Sequence, residues 1–456
     1  MSAILRRPYA LTTTGAWSLV FLAAFESLAV TTIMPDVTAG LHGRGLYALA
    51  FSAALAAGVV GMVTFGAWAD RRGPAVPLLS AILTFGAGLA LAGTATSMPL
   101  FVAGRFLQGL GGGGQTVALY VLIALVYPAE LHIKIFGAFA TAWVLPSLIG
   151  PSLAGFTAAA LSWHWVFLGV LILVAVATTL MLPALRGLDR SPTDRVPDPA
   201  ADARRAAEAT VVALGVIVLS SLAEIDAAWL LAPATVVVAA VALRNLVPAG
   251  TYRIARGLPA AVALCAVAGG VFAGTEVYLP LLLHDRYGVP TWLSGITLTA
   301  GAVAWALASA VQARLGDRIT PASAIRAGTI LLAAGAATEL MTAALHLHPA
   351  AAAGGWFLAG GGMGTLYPRI SALVLATSRP GEEGFNTAAK SITDAVGGSA
   401  SLAAAGALFT VLPFVAPFAF TTALGVMAIL VGRRAVVPSA IETLSLRPPG
   451  RDAAPR

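Results

Sequence analysis

The sequence predicts an all-α polytopic membrane protein: two six-helix bundles of repeated sequence with a helix pair inserted between them, about fourteen spans in all. Three observations carry that prediction. Hydrophobic residues make up 58% of the 456-residue chain and charged residues only 10%, against about 25% charged in an average soluble domain. Mean hydropathy is accordingly +0.87. The apolar residues come in blocks of roughly 20 or more with charges gathered between them, and in lipid such blocks must be helices, because the backbone can satisfy its hydrogen bonds only internally. Finally, motifs of the first half recur in the second.

The spans are expected near 14–35, 46–68, 75–95, 99–127, 136–160, 163–184, 209–224, 227–247, 258–283, 291–313, 322–346, 350–376, 386–411 and 414–432. The seventh and eighth are short and weakly flanked. They are either full spans or a re-entrant pair, which would leave about twelve. The basic start and apolar run of "MSAILRRPYALTTTGAWSLVFLAAFESLAV" lack a small-residue cleavage site before the polar turn, so the run is expected to stay as the first span. Arg6, Arg7, Arg71, Arg72, Lys134, Arg186, Arg253, Arg318, Arg379, Arg433 and Arg434 fall in one set of alternating connections or termini, and the other set holds little beyond Arg44 and Arg286. The positive-inside rule then puts both termini in the cytoplasm and the chain in the plasma (inner) membrane.

The net charge of +7 therefore reports topology and not a nucleic-acid-binding patch. Cys265 stands alone, so no internal disulfide or cysteine metal cluster can form. The expected organisation is a first bundle over 1–185, a Pro-, Asp- and Arg-rich cytoplasmic linker over 186–208, the inserted pair over 209–247, a loop over 248–257, a second bundle over 258–437 and a cytoplasmic tail over 438–456.

The repeat is visible residue by residue. "ADRRGPAVPLLSAILTFGAG" from Ala69 matches "GDRITPASAIRAGTILLAAG" from Gly316, with Asp70 on Asp317 and Pro74 on Pro321, both 247 positions on. "RFLQGLGGGGQT" matches "WFLAGGGMGT", with Phe106 on Phe357, 251 positions on. Transporters are often duplicated in this way, with the substrate site between the halves near the midplane.

Gly109–Gly114 spells G-x-G-x-x-G. A dinucleotide fingerprint must follow a strand and open a helix on the soluble side, whereas this one lies inside an apolar span. "GFNTAAKS" likewise fails as a P-loop, because Ala389 stands where the second glycine belongs. The glycines are expected to let neighbouring helices approach closely. Arg105 and Gln108 are different. An arginine within a span costs about 2.5–3.5 kcal/mol to insert, so it either meets a cavity or carboxylate or snorkels to the near surface.

Acidic groups are the expected proton carriers, because apolar surroundings disfavour the ionised form of a carboxyl. Glu26 lies in the middle of the first span, Glu276 in the first span of the second half, and Asp394 in the penultimate span, four residues after Lys390. Glu26 and Glu276 have no basic partner at helical spacing and must be served by another helix or by water. Lys390 and Asp394 share a helix face and are read either as a local pair near the membrane edge or as part of the proton path. Glu339 faces a cavity or the headgroups. Glu224, Asp226, His346 and His348 read as outer turns, and two histidines at i, i+2 are a poor helical metal pair. No resident metal or cofactor is implied. Gln115, Tyr120, Trp143 and Tyr278 are expected, with Arg105 and Gln108, to line the substrate cavity, though the aromatic residues could equally serve packing. Pro146, Gly150, Pro151 and Gly155 are expected to kink one span and let it pack closely.

These motifs together resemble the major facilitator superfamily. "GAWADRRG" (Gly66–Gly73) is similar to its loop between the second and third helices, "GRFLQG" (Gly104–Gly109) to its fourth-helix motif, "LPSLIGPSLAG" (Leu145–Gly155) to the fifth-helix motif of its exporters, and "SWHWVF" to the entry of its sixth helix, with His164 in place of the usual arginine. "FESLAVTTIMP" resembles the first-helix motif of the fourteen-span drug:proton antiporters, with Glu26 for the usual aspartate and Thr31 for the usual asparagine. The second-half copy, "LGDRITP", lacks the glycine found at Gly73. The resemblance covers nearly the whole chain. It implies a conformational latch at Gly66, Asp70, Arg71, Arg72 and Gly73, echoed by Asp317 and Arg318, and a hinge and proton seal at Pro146, Gly150, Pro151 and Gly155. It implies export of amphiphilic or cationic small molecules against protons by a monomer in the bilayer. The alternative is a lipid or glycolipid exporter whose inserted pair shapes a lateral opening. A non-transporting receptor would need a large soluble domain, and an enzyme would need a motif such as HExxH or G-x-S-x-G; the sequence has neither.

Overall fold

The computed structural model describes residues 4–5, 9–185, 199–221, 232–315, 318–379 and 382–436. Among them are fourteen α-helices and no strand. They are α1 (Ala10–Gly40), α2 (Tyr47–Arg72), α3 (Ala75–Gly93), α4 (Met98–Val126), α5 (Ala129–Ala160), α6 (His164–Leu185), α7 (Pro199–Ser221), α8 (Ala232–Leu243), α9 (Leu258–Tyr287), α10 (Thr291–Leu315), α11 (Pro321–Leu345), α12 (Pro349–Thr377), α13 (Glu383–Val411) and α14 (Val415–Ala435). Eleven are long and apolar enough to cross a membrane. The exceptions are α7, α8 and α12. α7 reaches back to Pro199, so part of the segment expected as a solvated linker is the charged first turns of a helix, with Asp202, Arg204, Arg205 and Glu208. α8 has 12 described residues, about 18 Å at helical rise. α12 has 29 residues, and the glycines of "GGWFLAGGGMG" dilute its hydropathy. Residues 186–198, the turn carrying Glu224 and Asp226, and the tail from 437 lie outside the described residues.

The two halves pack alike. In the first, α4 lies against α2 and α3, α1 against α5 and α6, and α3 against α6. In the second, α12 lies against α10 and α11, α9 against α13 and α14, and α11 against α14. Between halves, α2 meets α13 and α5 meets α10. α7 packs on both α2 and α13, and so lies over one seam, where Ser52 on α2 and Ser220 on α7 share a 2.7 Å hydrogen bond.

The glycine run of α4 is a packing device. A Cβ on Gly109 would lie 1.9 Å from the Ala54 carbonyl oxygen, and one on Gly113 would lie 2.1 Å from that of Gly58, both on α2. One on Gly104 would lie 2.7 Å from the Ala92 amide nitrogen and one on Gly111 2.4 Å from that of Phe85, both on α3. Backbone thus touches backbone on two faces of one helix, which is how spans associate where lipid removes the hydrophobic drive. Each contact has an echo 251 positions on along α12. Gly360 and Gly364 press on Gly301 and Trp305 of α10, and Gly355 and Gly362 on α11.

Candidate functional site

The first cluster sits where α1, α2 and α4 meet. Arg105 and Gln108 are one turn apart on α4, and Gln115 lies two turns further along the same face. The Arg105 guanidinium donates to the Glu26 carboxylate on α1 in a buried ion pair, and also to the Gln108 side-chain carbonyl. Its Nε lies 3.4 Å from the Ala50 carbonyl oxygen on α2. Glu26 is 5% exposed, Arg105 6% and Gln108 2%. The Gln108 Nε2 group has no hydrogen-bond partner, a costly state for a buried donor and one that a bound molecule could relieve. Gln115 donates to the Leu19 carbonyl at 3.1 Å, while its own carbonyl oxygen is unpaired. Along α1, Trp17, Phe21 and Phe25 stack in sequence and lead to Glu26. Phe25 also meets α5, for a Cβ on Gly150 would lie 3.3 Å from its ring.

The second cluster lies in the other half. Phe272 on α9, Trp305 on α10 and Tyr367 on α12 form a chain of rings at 5.4 and 5.7 Å, and Phe272 packs on Trp356 at 4.6 Å. Lys390 on α13 places its ammonium 4.5 Å from the Tyr367 ring centre. No ion pair joins Lys390 to Asp394, despite the helical spacing: the Asp394 carboxyl turns towards Gly269 on α9, where a Cβ would lie 2.3 Å from its Oδ1. Glu276 is half-buried, one turn along α9 from Phe272, and makes no hydrogen bond or ion pair with the described residues.

The remaining expected residues are placed as follows. Tyr278 is sealed, 2% exposed, between the rings of Tyr47 and Phe409. Tyr120 and Trp143 are about half exposed. Asp70, Arg71 and Arg72 end α2, and Gly73 follows at φ 79°, a left-handed backbone that favours glycine. Arg71 donates to the Ala67 carbonyl and lies 3.7 Å from Asp202 of α7. Gly66 faces Val117 of α4. Arg318 is exposed, and Asp317 lies outside the described residues. Pro146 and Pro151 lie within α5. A Cβ on Gly155 would lie 2.7 Å from Trp292 Cα, and one on Gly295 would lie 2.7 Å from the Pro151 carbonyl, so α5 meets α10 backbone to backbone across the halves. Glu339 is fully buried on α11 beside Gly355 of α12, and its carboxyl oxygens have no hydrogen-bond partner. His346 and His348 are exposed in the turn between these helices.

Sequence reasoning missed the contacts that join the halves at the end where α1 meets α2. Arg44 pairs with Asp285, Tyr47 donates to the Val277 carbonyl at 2.7 Å, and Thr291 donates to Asp36 at 3.1 Å. One signal was available. Arg44 is among the few cations on the side of the chain that otherwise lacks them.

The comparisons agree with this architecture. Residues 16–368 match the profile of the Major Facilitator Superfamily. The chain belongs to that superfamily. It is 30% identical over 148 residues to Multidrug resistance protein 3 of Bacillus subtilis (strain 168), covering 32% of this chain and 29% of that one. It is 25% identical over 181 residues to the multidrug efflux pump SdrM of Staphylococcus aureus (strain N315), covering 39% and 40%. The matched stretch thus spans less than half the length of these relatives. A POT family transporter solved with 5-aminolevulinic acid superposes with a TM-score of 0.67 at 15% identity, covering 93% of this chain and 95% of that one. The chain is therefore a multi-pass membrane protein of this superfamily.

Proposed function

We propose that this transporter is a proton-coupled exporter of amphiphilic or cationic small molecules, working by alternating access in the plasma membrane with both termini in the cytoplasm. The observation that carries the reading is the buried Glu26–Arg105–Gln108 cluster. A membrane protein bears the cost of such a pair only where it is used. Protonating Glu26 removes one charge of the pair and leaves Arg105 to Gln108 and the Ala50 carbonyl. The protonated and ionised forms then fit different packings of α1 on α4, and differential affinity of this kind is what drives a transporter between states. The relatives named as multidrug transporters support the substrate class.

The two halves are read as duplicates, supported by helix pairings that repeat in order and glycine contacts that recur 251 positions apart. Arg44–Asp285, Tyr47–Val277 and Thr291–Asp36 close the molecule at one end. With the arginine-rich end in the cytoplasm, that closed end is the outer one, and the conformation is inward-facing. α7 lies over the α2–α13 seam and does not widen it, which gives no support to a lateral lipid opening there.

The test is dye movement in reconstituted liposomes under an imposed pH gradient, with wild type beside Glu26→Gln. Gradient-driven movement of a lipophilic cation that is lost in the variant supports the reading. Movement that survives in Glu26→Gln removes Glu26 from the coupling path and shifts the search to Glu276 and Asp394.

A further inference from the structure

We propose that α12 bends at Pro368 under the control of Ser309 and Gln312 on α10, and that this bend moves the inner, cytoplasmic end of α12 and the start of α13 during transport. The bend itself goes beyond the exporter reading; its use in transport rests on that reading. The argument starts from a missing hydrogen bond. Proline has no amide hydrogen, so Pro368 cannot donate to the Gly364 carbonyl one turn earlier in α12, and its ring crowds that carbonyl. α10 supplies the donors instead. Ser309 Oγ and Gln312 Nε2 lie 3.1 and 3.2 Å from the Gly364 carbonyl oxygen, and Nε2 also donates to the Thr365 carbonyl. The Gln312 carbonyl oxygen accepts from Arg369 Nε at 2.7 Å, immediately beyond the proline. Gln312 is 6% exposed, so the clamp works away from water, where a carbonyl left open is costly.

Proline and clamp occur together. The position of Pro368 is Val117 in α4, 251 residues earlier, and those of Ser309 and Gln312 are Met62 and Phe65 in α2, 247 residues earlier. In the first half the amide hydrogen is present and no side-chain donor stands opposite; in the second half the hydrogen is missing and two donors replace it. The proline also divides α12 by its packing. Before it, Gly360 and Gly364 hold α12 against α10 backbone to backbone. Around and beyond it, side chains fasten α12 to α13. The Tyr367 hydroxyl donates to Asp394, the Tyr367 ring lies 4.5 Å from the Lys390 ammonium, and Ser378 accepts from Asn386 at 2.9 Å. A bend at Pro368 therefore leaves the glycine contacts with α10 in place and carries the start of α13 with the inner end of α12. Such a bend needs the Gly364 carbonyl to change partners, which a side-chain clamp permits and a helix bond opposes.

Phe357 and Leu375 are exposed on α12, on either side of Pro368. They are about five turns apart, so a straight helix puts both on one face with about 27 Å between them. Spin labels on Phe357→Cys and Leu375→Cys, in a Cys265→Ala background, report the bend as a distance distribution measured by double electron–electron resonance in nanodiscs. A bend of about 20–30° displaces that distance by about 3–5 Å. The expected result is that Gln312→Leu raises a displaced component above its wild-type level. Ser309→Ala, which loses one of the two donors, raises it less. Pro368→Ala abolishes it, even combined with Gln312→Leu, because the helix bond to Gly364 forms again. The proposal is overturned if Gln312→Leu and Ser309→Ala both leave the distribution as in wild type, or if the displaced component survives Pro368→Ala. Liposomes then separate the bend from its use. Pro368→Ala should bind rhodamine 123 as wild type does and move it more slowly; movement at the wild-type rate overturns the role in transport. Distances that behave as expected in a wild type that moves no dye keep the bend and sink the exporter.

Discussion

In the first half, Gly109 and Gly113 press α4 onto α2, and Arg105 reaches from α4 to Glu26 on α1; in the second, Gly360 and Gly364 press α12 onto α10, and Trp356 packs on Phe272 of α9. Arg105 and Trp356 are the same position of the repeat, 251 residues apart. Each also reaches a carbonyl on the adjoining helix: Arg105 that of Ala50 on α2, Trp356 that of Leu298 on α10 at 3.1 Å. The scaffold is shared and the chemistry placed on it is not. Where one half carries an acid and a base, the other carries two rings. Matching glycine contacts fix where a long side chain on each helix points; its identity decides whether it meets a carboxylate or an aromatic ring.

The largest effect that separates the halves should come from breaking the ion pair. Arg105→Met leaves Glu26 buried opposite a thioether, and removing one partner of a buried pair costs about 3–5 kcal/mol. Trp356→Phe loses one hydrogen bond and three ring atoms from a buried site, which costs about 2 kcal/mol. Denaturant unfolding in detergent micelles measures both. Equal losses would mean that the pair contributes no more to the fold than its aromatic counterpart. The shared scaffold has its own test. Gly109→Ala and Gly360→Ala each push a methyl into a carbonyl, at 1.9 and 2.0 Å, and overpacking of this kind costs about 1–3 kcal/mol. The two should lose stability alike. A tolerant Gly360 beside an intolerant Gly109 would break the equivalence of α4 and α12.

Much of this was legible in the chain, for reasons that differ by residue. The apolar blocks gave the helices, because span length and composition are set by the bilayer. The repeat of "RFLQG" in "WFLAG" anticipated which helices play equivalent parts, because small residues at fixed spacing dictate close packing. A base within α4 and an acid within α1, neither with a partner on its own helix, each needed one from elsewhere; which would serve which was set by the fold. Helical spacing misled at Lys390 and Asp394. An i, i+4 pair is weak, and both side chains turn to Tyr367 instead of to each other, Lys390 to its ring face and Asp394 to its hydroxyl. The linker was expected to be solvated up to 208, yet α7 begins at Pro199, because Ala-rich sequence with Asp202 in its first turn is good helix even when charged. The closure through Arg44 and Asp285 joins residues 241 positions apart in different halves, and no local pattern announces it.

The two seams between the halves differ in what covers them. α7 lies over the α2–α13 seam, whereas α5 and α10 meet directly. If the insertion helps to hold its seam, Ser52→Ala should lower stability by about 0.5–1 kcal/mol: it removes the bond between helices, while the Ser220 hydroxyl keeps its bond to the Val216 carbonyl. No loss, with Ser220→Ala equally silent, would make the Ser52–Ser220 bond incidental.

The smallest effect is expected where α7 touches the end of α2. Arg71 and Asp202 stand 3.7 Å apart with side chains 38% and 23% exposed, and pairs of that kind contribute about 0–1 kcal/mol, less as salt rises. Asp202→Asn should therefore leave unfolding almost unchanged. Its value lies in a different readout. The end of α2 that carries Arg71 is the end the insertion reaches, so a contact there restrains α2 in one state of the cycle more than in the other. Loss of the contact should alter the rate of substrate movement in liposomes by about twofold or less at low ionic strength, and the difference should vanish at high salt. A rate change that persists at high salt would show that Asp202 acts through the packing of α7 on α2 and not through its charge.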